Sequence, residues 1–340
     1  MMTKNSQPEA ASFDWRAIVS RYQTPSISKS AWQLINSIVP YVLMWVLMWY
    51  SLRISYWLTL ALAVLAAAFL MRIFIIFHDC GHTSFFESQK LNDVWGIITG
   101  LLTFTPYYHW RHDHAVHHAT AGNLDRRGVG DVKTITVQEY LALPPLQKLA
   151  YRVFRNPLIM FTIGASIVFL MGHRFYRPTD GKREKHSVIW TNLALAGGIA
   201  LLSALMGFKA YVAIQLPVMM IAATAGVWLF YVQHNFEGTY WARSSDWDYA
   251  ATALQGSSFY KLPRVLQWFT GNIGFHHIHH LNPRIPNYLL EKCHRENAVF
   301  EQVRPLTVGR SLKSLFYRLW DEEQRKMVGF GALKLDRQTH

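Results

Sequence analysis

Four long apolar runs, grouped in two pairs, constrain this chain more than any other feature. The first pair runs from Leu34 to Ser51 and from Ser55 to Phe77, with only a short turn containing Arg53 between them. The second pair runs from Val188 to Phe208 and from Ala210 to Val232, with Lys209 near its turn. A helix needs about 20 apolar residues to cross a hydrocarbon layer about 30 Å thick, and each run is long enough. In lipid every backbone polar group must be satisfied within the segment, so such runs fold as helices. The expected fold is all-α and integral to a membrane, with four transmembrane helices arranged as two hairpins. Two shorter stretches, Val94 to Pro106 and Leu158 to Met171, fall in the range of about 10–14 residues that more often lies at an interface. They are expected as helices on the membrane surface. Pro217 should bend the fourth span locally.

This pattern divides the chain into five parts. Residues 1–33 form an N-terminal segment, 34–77 the first hairpin, 78–187 a long loop, 188–232 the second hairpin, and 233–340 a C-terminal region. The formal net charge is +13. Lysine and arginine are nearly absent from the two hairpin turns and concentrated before, between and after the hairpins. The positive-inside rule then puts both termini and the long loop in the cytoplasm, where basic residues also attract anionic headgroups. Nucleic-acid binding is not expected, because the basic residues form no aromatic-interleaved stripe and no binding motif. Cys80 and Cys293 are far apart, and neither sits in a metal-binding spacing. No disulfide framework is implied, which suits a reducing cytosolic side. The first thirty residues lack the basic-then-apolar layout of a secretory leader.

The second span is expected to outrun the bilayer. A helix from Ser55 to His82 would be about 42 Å long at 1.5 Å per residue. Arg72 can snorkel to the interface, and His78 and His82 then stand just outside the membrane.

Of the 16 histidines, most fall in three clusters. The first is His78-Asp79-Cys80-Gly81-His82. The second spans His109 to His118 and the third His276 to His280. His234 stands alone at the end of the fourth span. Residues three and four apart share a helix face, so His78 pairs with His82, His114 with His117 and His118, and His276 with His279 and His280. Neutral imidazole is a frequent metal ligand. Nine imidazoles are too many for one four-coordinate zinc and suit two ions with open positions. With the hairpins as drawn, every cluster lies on one side of the membrane. Metal-bound histidines usually give their other N–H to a carboxylate or carbonyl. Asp79 and Asp113 are expected in that role, and His112 and His277 as outer polar groups, with His109 likewise beyond the ligand pattern. His173, His186, His294 and His340 are expected at the surface, and Cys80 as a small helix filler.

The order H-x-x-x-H, H-x-x-H-H, H-x-x-H-H resembles the membrane fatty-acid desaturases, with spans in matching places. The likeness is closer to bacterial and cyanobacterial acyl-lipid desaturases of the Δ12/ω6 kind and their Δ5 relatives. It rests on His78 to Phe86, on Gly122 to Asp125 and Gly130-Asp131, and on Gly271 to Phe275 leading through the last cluster to Pro286-Asn287-Tyr288. The resemblance implies a cytosolic helical cap holding two non-haem irons on His78, His82, His114, His117, His118, His276, His279 and His280. His234 resembles an additional ligand. It also implies O₂ as co-substrate, an acyl-lipid substrate, and electrons from a separate ferredoxin, flavodoxin or cytochrome on the cytosolic face. The implied reaction is formation of a cis double bond. A methylene chain has no polar mark at its target carbon, so an apolar tunnel is expected, with walls from Trp110, Phe236 and Trp268. A hydroxylase, conjugase or carotenoid-type ketolase of the same superfamily would carry the same clusters. A non-catalytic metal transporter or membrane receptor is a remoter alternative, since transport ligands belong near mid-bilayer.

Overall fold

The computed structural model describes residues 14–335. His340 and the first thirteen residues of the N-terminal segment lie outside them. The helices that position the site are, in chain order, α1 (Ile27–Ser51), α2 (Tyr56–Gly81), α3 (Gln89–Leu102), α4 (Tyr107–Thr120), α5 (Pro145–Phe154), α6 (Ala165–Leu170), α7 (Lys182–Met206), α8 (Phe208–His234), α9 (His276–Leu281) and α10 (Asn287–Arg295). Four of these, α1, α2, α7 and α8, are long and apolar enough to cross a membrane. They form the two expected hairpins. α1 and α7 begin earlier than their apolar runs, because the polar segments 27–33 and 182–187 continue the helical hydrogen bonding outside the apolar layer.

Lipid tails are as apolar as leucine, so helices in a bilayer associate through close packing and interhelical hydrogen bonds. The α1–α2 hairpin uses both. Ala63, Ala66 and Ala67 are buried and let the backbones approach, and Ser51 and Thr59 share a hydroxyl hydrogen bond of 2.8 Å. On its other side α1 exposes Val39, Val42, Leu43, Val46 and Leu47, a face suited to acyl chains. α2 is more enclosed: Ile73, Ile76, Phe77 and Cys80 are fully buried. Its helix starts after Ser55 and ends at His82, as its apolar pattern implies.

The two shorter stretches are both helical and pack against the long helices. The first is α3, which packs back along α2. Gly96 makes this possible, since a Cβ there would lie 2.2 Å from the Tyr107 ring. Tyr107 in turn donates its hydroxyl to the Cys80 carbonyl at 2.7 Å. The second stretch opens with a π-helical turn, Ile159–Gly164, that runs into α6. It buries Met160, Phe161 and Ala165, and the Phe161 ring meets the edges of Trp228 and Tyr231 on α8. α5 and the segment Ile159–Arg174 form a pair bent by 68° that has the length and composition of a broken span or a re-entrant loop.

Short strands tie the C-terminal region to the rest. β1 (Ile135–Thr136), β2 (Phe259–Lys261), β3 (Pro305–Thr307), β4 (Leu319–Asp321) and β5 (Lys326–Val328) make two small sheets. β4 lies between β1, parallel, and β5, antiparallel, with Ile135 opposite Leu319. β2 pairs in parallel with β3. Beside them Arg155 is fully buried, with no carboxylate partner among the described residues. Its guanidinium donates to the Tyr231 hydroxyl (3.1 Å) and the Tyr317 carbonyl (3.2 Å), and Thr134 lies at 3.4 Å.

Candidate metal centre

α2, α4, α8 and α9 end or pass at one level, and the helical spacing of each turns its imidazoles toward a common space. His78, His82, His114, His118 and His279 bring their ring nitrogens within 4.8 Å of one another, and His117, His234 and His280 do the same. His276 Nε2 is 3.0 Å from His234 Nε2, which places a fourth imidazole beside the second group. All nine candidate ligands are thus brought together, in two adjacent groups. Seven of them, His82 and His114 aside, are at most 8% exposed.

The nitrogen positions suit cations better than each other. His118 Nε2 lies 3.2 Å from His114 Nε2 and 3.1 Å from His279 Nε2. His234 Nε2 lies between His117 Nε2 at 3.2 Å and His276 Nε2 at 3.0 Å. An imidazole nitrogen carries either a hydrogen or one lone pair in its plane, so it cannot satisfy two neighbours of its own kind. A shared cation can. His82 Nε2 and His280 Nε2 are buried with no hydrogen-bond partner among the described residues. Burial first, then neighbouring charge, holds His82, His114, His118, His276, His279 and His280 well below the usual histidine pKa. The rings are therefore neutral at physiological pH, with lone pairs available to metal. The all-imidazole donor set fits iron, zinc, copper or nickel.

Two carboxylates orient the rings. His78 Nδ1–H donates to Asp79 Oδ1 at 3.1 Å. Asp79 Oδ2 accepts from the backbone N–H and side chain of Asn287 at 2.7 and 2.8 Å, which docks α10 against the end of α2. His117 Nδ1–H donates to Asp131 Oδ1 at 2.5 Å. Gly130 allows this approach. Its φ is +70°, and a Cβ there would sit 3.0 Å from His117 Cβ and 3.1 Å from the Asp113 carbonyl oxygen. Burial alone would raise the Asp131 carboxyl, but the charge and hydrogen bond of His117 hold it below its usual value.

The other expected outer groups lie elsewhere. Asp113 is engaged by Arg177, and His112 is exposed on the outer side of α4. His277 faces away from the ligands, with Nε2 3.3 Å from His294 Nδ1, so His294 is buried and not at the surface. His173 is also half-buried, whereas His186 is exposed. Cys80 is buried, as a helix filler would be. Asp131 had no assigned role in the sequence. The signal available was an acidic residue beside a glycine that follows a histidine cluster.

An apolar cavity of about 440 Å³ opens off the ligands, with His78, His114 and His276 in its wall. It follows α2 from His78 to Leu70 and α8 from Gln233 to Met219, or about 12 and 21 Å at 1.5 Å per residue. Trp110 lines it and stacks on His114, with centroids 4.3 Å apart and planes 19° apart. Phe236 and Trp268 do not line it. Phe236 packs on the main core, and the Trp268 ring lies 3.9 Å under the Arg72 guanidinium. Phe74, Phe169 and Phe230 supply the aromatic wall instead.

Comparison with known proteins gives the arrangement a family. The sequence profile described as Fatty acid desaturase matches residues 55–307. The chain is 47% identical over 316 residues to the Fatty acid desaturase of Bacillus subtilis (strain 168), covering 93% of this chain and 90% of that protein. It is 29% identical over 236 residues to the sn-1 acyl-lipid omega-3 desaturase (ferredoxin) of Nostoc sp. (strain 36), covering 65% of this chain and 62% of that one. It is 27% identical over 257 residues to the sn-1 oleoyl-lipid 12-desaturase of Synechocystis sp., covering 72% and 68%. With four candidate spans and histidine groups able to hold metal, the chain is an integral membrane oxidoreductase and belongs to the fatty acid desaturase family.

Proposed function

We propose that the chain introduces a cis double bond into the acyl chain of a membrane lipid, using O₂ and two irons held by His78, His82, His114, His117, His118, His234, His276, His279 and His280. One observation carries the reading: the imidazole groups and the apolar cavity share a wall, through His78, His114 and His276. A cavity of about 440 Å³ is within the usual range for a small-molecule site, roughly 300–1,000 Å³. When bound, iron would activate O₂, the oxidant for removing two hydrogens from adjacent methylenes, with two electrons from a separate donor and water as the reduced product.

The remaining work falls to the chain's own residues. Asp79 and Asp131 fix the tautomers of His78 and His117, so that Nε2 of each faces the ion. Trp110 locks the His114 ring and walls the substrate space. Phe74 and Phe230 keep water from the methylene chain. The arrangement of basic residues supports a topology in which residues 1–33, 78–187 and 233–340 are cytosolic and 34–77 and 188–232 span the membrane. Electrons would arrive from a separate ferredoxin, flavodoxin or cytochrome on that face.

The test is expression of the full chain in a bacterium rich in saturated and monounsaturated lipids, followed by chromatography with double-bond localisation. A new cis-unsaturated chain is expected, absent with His117→Ala. A hydroxylated product would move the chain to a hydroxylase reading. No new product from the iron-loaded protein, supplied with reductant, would end the proposal.

A further inference from the structure

Phe154 and Val168 line the cavity and also stand well out on the surface, 44% and 45% exposed. Every other lining side chain is buried or half-buried. Phe154 ends α5 and Val168 lies in α6, so they belong to the two arms of the pair bent by 68°. The π-helical turn Ile159–Gly164 lies between them, and such turns are frequent at functional sites.

The surface around both residues is apolar. On α5, Leu146, Leu149 and Val153 are exposed, and their spacing of three and four puts them in one stripe. Lys148 and Arg152 stand on the opposite side of the helix. Lys148 Nζ donates to the Leu141 carbonyl at 2.8 Å, and Arg152 Nε–H to the Tyr140 hydroxyl at 2.6 Å. An apolar stripe backed by basic residues is the layout of a helix lying in a membrane interface. Beyond the bend, residues 156–172 carry no charged side chain, and Ile163, Ile167 and Met171 form a second exposed row. The inner face of this arm rests on the span α8, where Phe161 meets Trp228 and Tyr231. So large an apolar surface calls for an apolar partner, and the lipid around α8 continues onto it. Behind Phe154 and Val168 the cavity wall is built from small residues, Gly164 on the bent arm and Ala222, Ala223 and Gly226 on α8, which leave room for a chain.

We propose that Phe154 and Val168 border a lateral portal, through which the acyl chain of a glycerolipid passes into the cavity while its headgroup stays in the leaflet on the side of the histidines. The inference rests on the reading of the cavity as the acyl site. It commits the enzyme to a lipid in place in the bilayer and not to a soluble thioester delivered from water. Passage across an apolar rim exchanges one apolar environment for another, so the chain is never exposed to water on the way in.

Two experiments test it. Cys80 and Cys293 are buried, so a bimane fluorophore attached to the Val168→Cys variant reports on that position. In vesicles, phosphatidylglycerol brominated along its chains should quench it strongly and aqueous iodide weakly. The reverse pattern would overturn the portal. In the second, the iron-loaded full chain is supplied with reductant in vesicles of dipalmitoyl phosphatidylglycerol. Val168→Trp narrows the mouth, and Val168→Asp charges it with a side chain no larger than valine. Each should lower kcat/KM about tenfold at wild-type iron content and melting temperature, and Val168→Ala should not. A kcat/KM unchanged by both, or lowered by tryptophan alone, would overturn the portal. So would a wild type that desaturates palmitoyl thioester and leaves the bilayer lipid untouched. No unsaturated product from either substrate would instead overturn the underlying function, a failure that the quenching measurement, which needs no turnover, tells apart.

Discussion

His117 Nδ1 and Asp131 Oδ1 lie 2.5 Å apart, joining a histidine on α4 to a carboxylate in the loop that follows. The carboxylate fixes the tautomer and makes Nε2 a stronger donor to metal. Asp131→Asn keeps the shape and removes the charge. Metal affinity, read by competition with a chelator, should fall about 10–100-fold. Unchanged affinity would mean that Asp131 serves only packing.

Metal-free protein should lose stability in mild acid. An unfolded histidine protonates near pH 6.5 (about its ordinary value), whereas the clustered rings in the folded chain do so only far lower. Below about pH 6.5 the unfolded chain therefore binds more protons, and stability falls as pH falls. Melting curves of metal-stripped protein from about pH 8 to about pH 5.5 check this. A flat profile would contradict the burial of the rings.

Gly226 lines the cavity, and a Cβ there would meet only Met71 Cε, at 3.4 Å. Alanine should be tolerated, whereas Gly226→Leu would project into the cavity proposed to hold the acyl chain. Turnover of an 18-carbon chain should drop about tenfold or more, in line with overpacking costs of about 1–3 kcal/mol, while iron content stays at the wild-type level. Full turnover of long chains by this variant would place the acyl group elsewhere.

Arg155 joins α8, through Tyr231, to the segments around Thr134 and Tyr317. Arg155→Ala should destabilise the protein by about 2–4 kcal/mol through the void and the unmet acceptors. Arg155→Lys should recover little, because one ammonium lacks the planar fork of donors. Thermal melts of both variants against wild type measure the difference, and a lysine variant as stable as wild type would show that charge alone matters there.

The spans and the ligand pairs were legible in the sequence because both are local and periodic. A run of apolar residues declares its helix, and His78 with His82, or His276 with His279 and His280, declares one face of one. The meeting of those faces also followed, since His78 and His234 had to end their spans on the same side. Tertiary structure decided what depends on contacts between distant segments. Asp131 reaches His117 only because Gly130 takes a positive φ against α4, a backbone choice with no periodic trace. α3 and the π-turn segment pack along α2 and α8, and what each buries depends on what stands opposite. The aromatic wall of the cavity fell to Phe74, Phe169 and Phe230, and not to Phe236 or Trp268. A cavity is the space left between several elements, and no single segment of the chain encodes it.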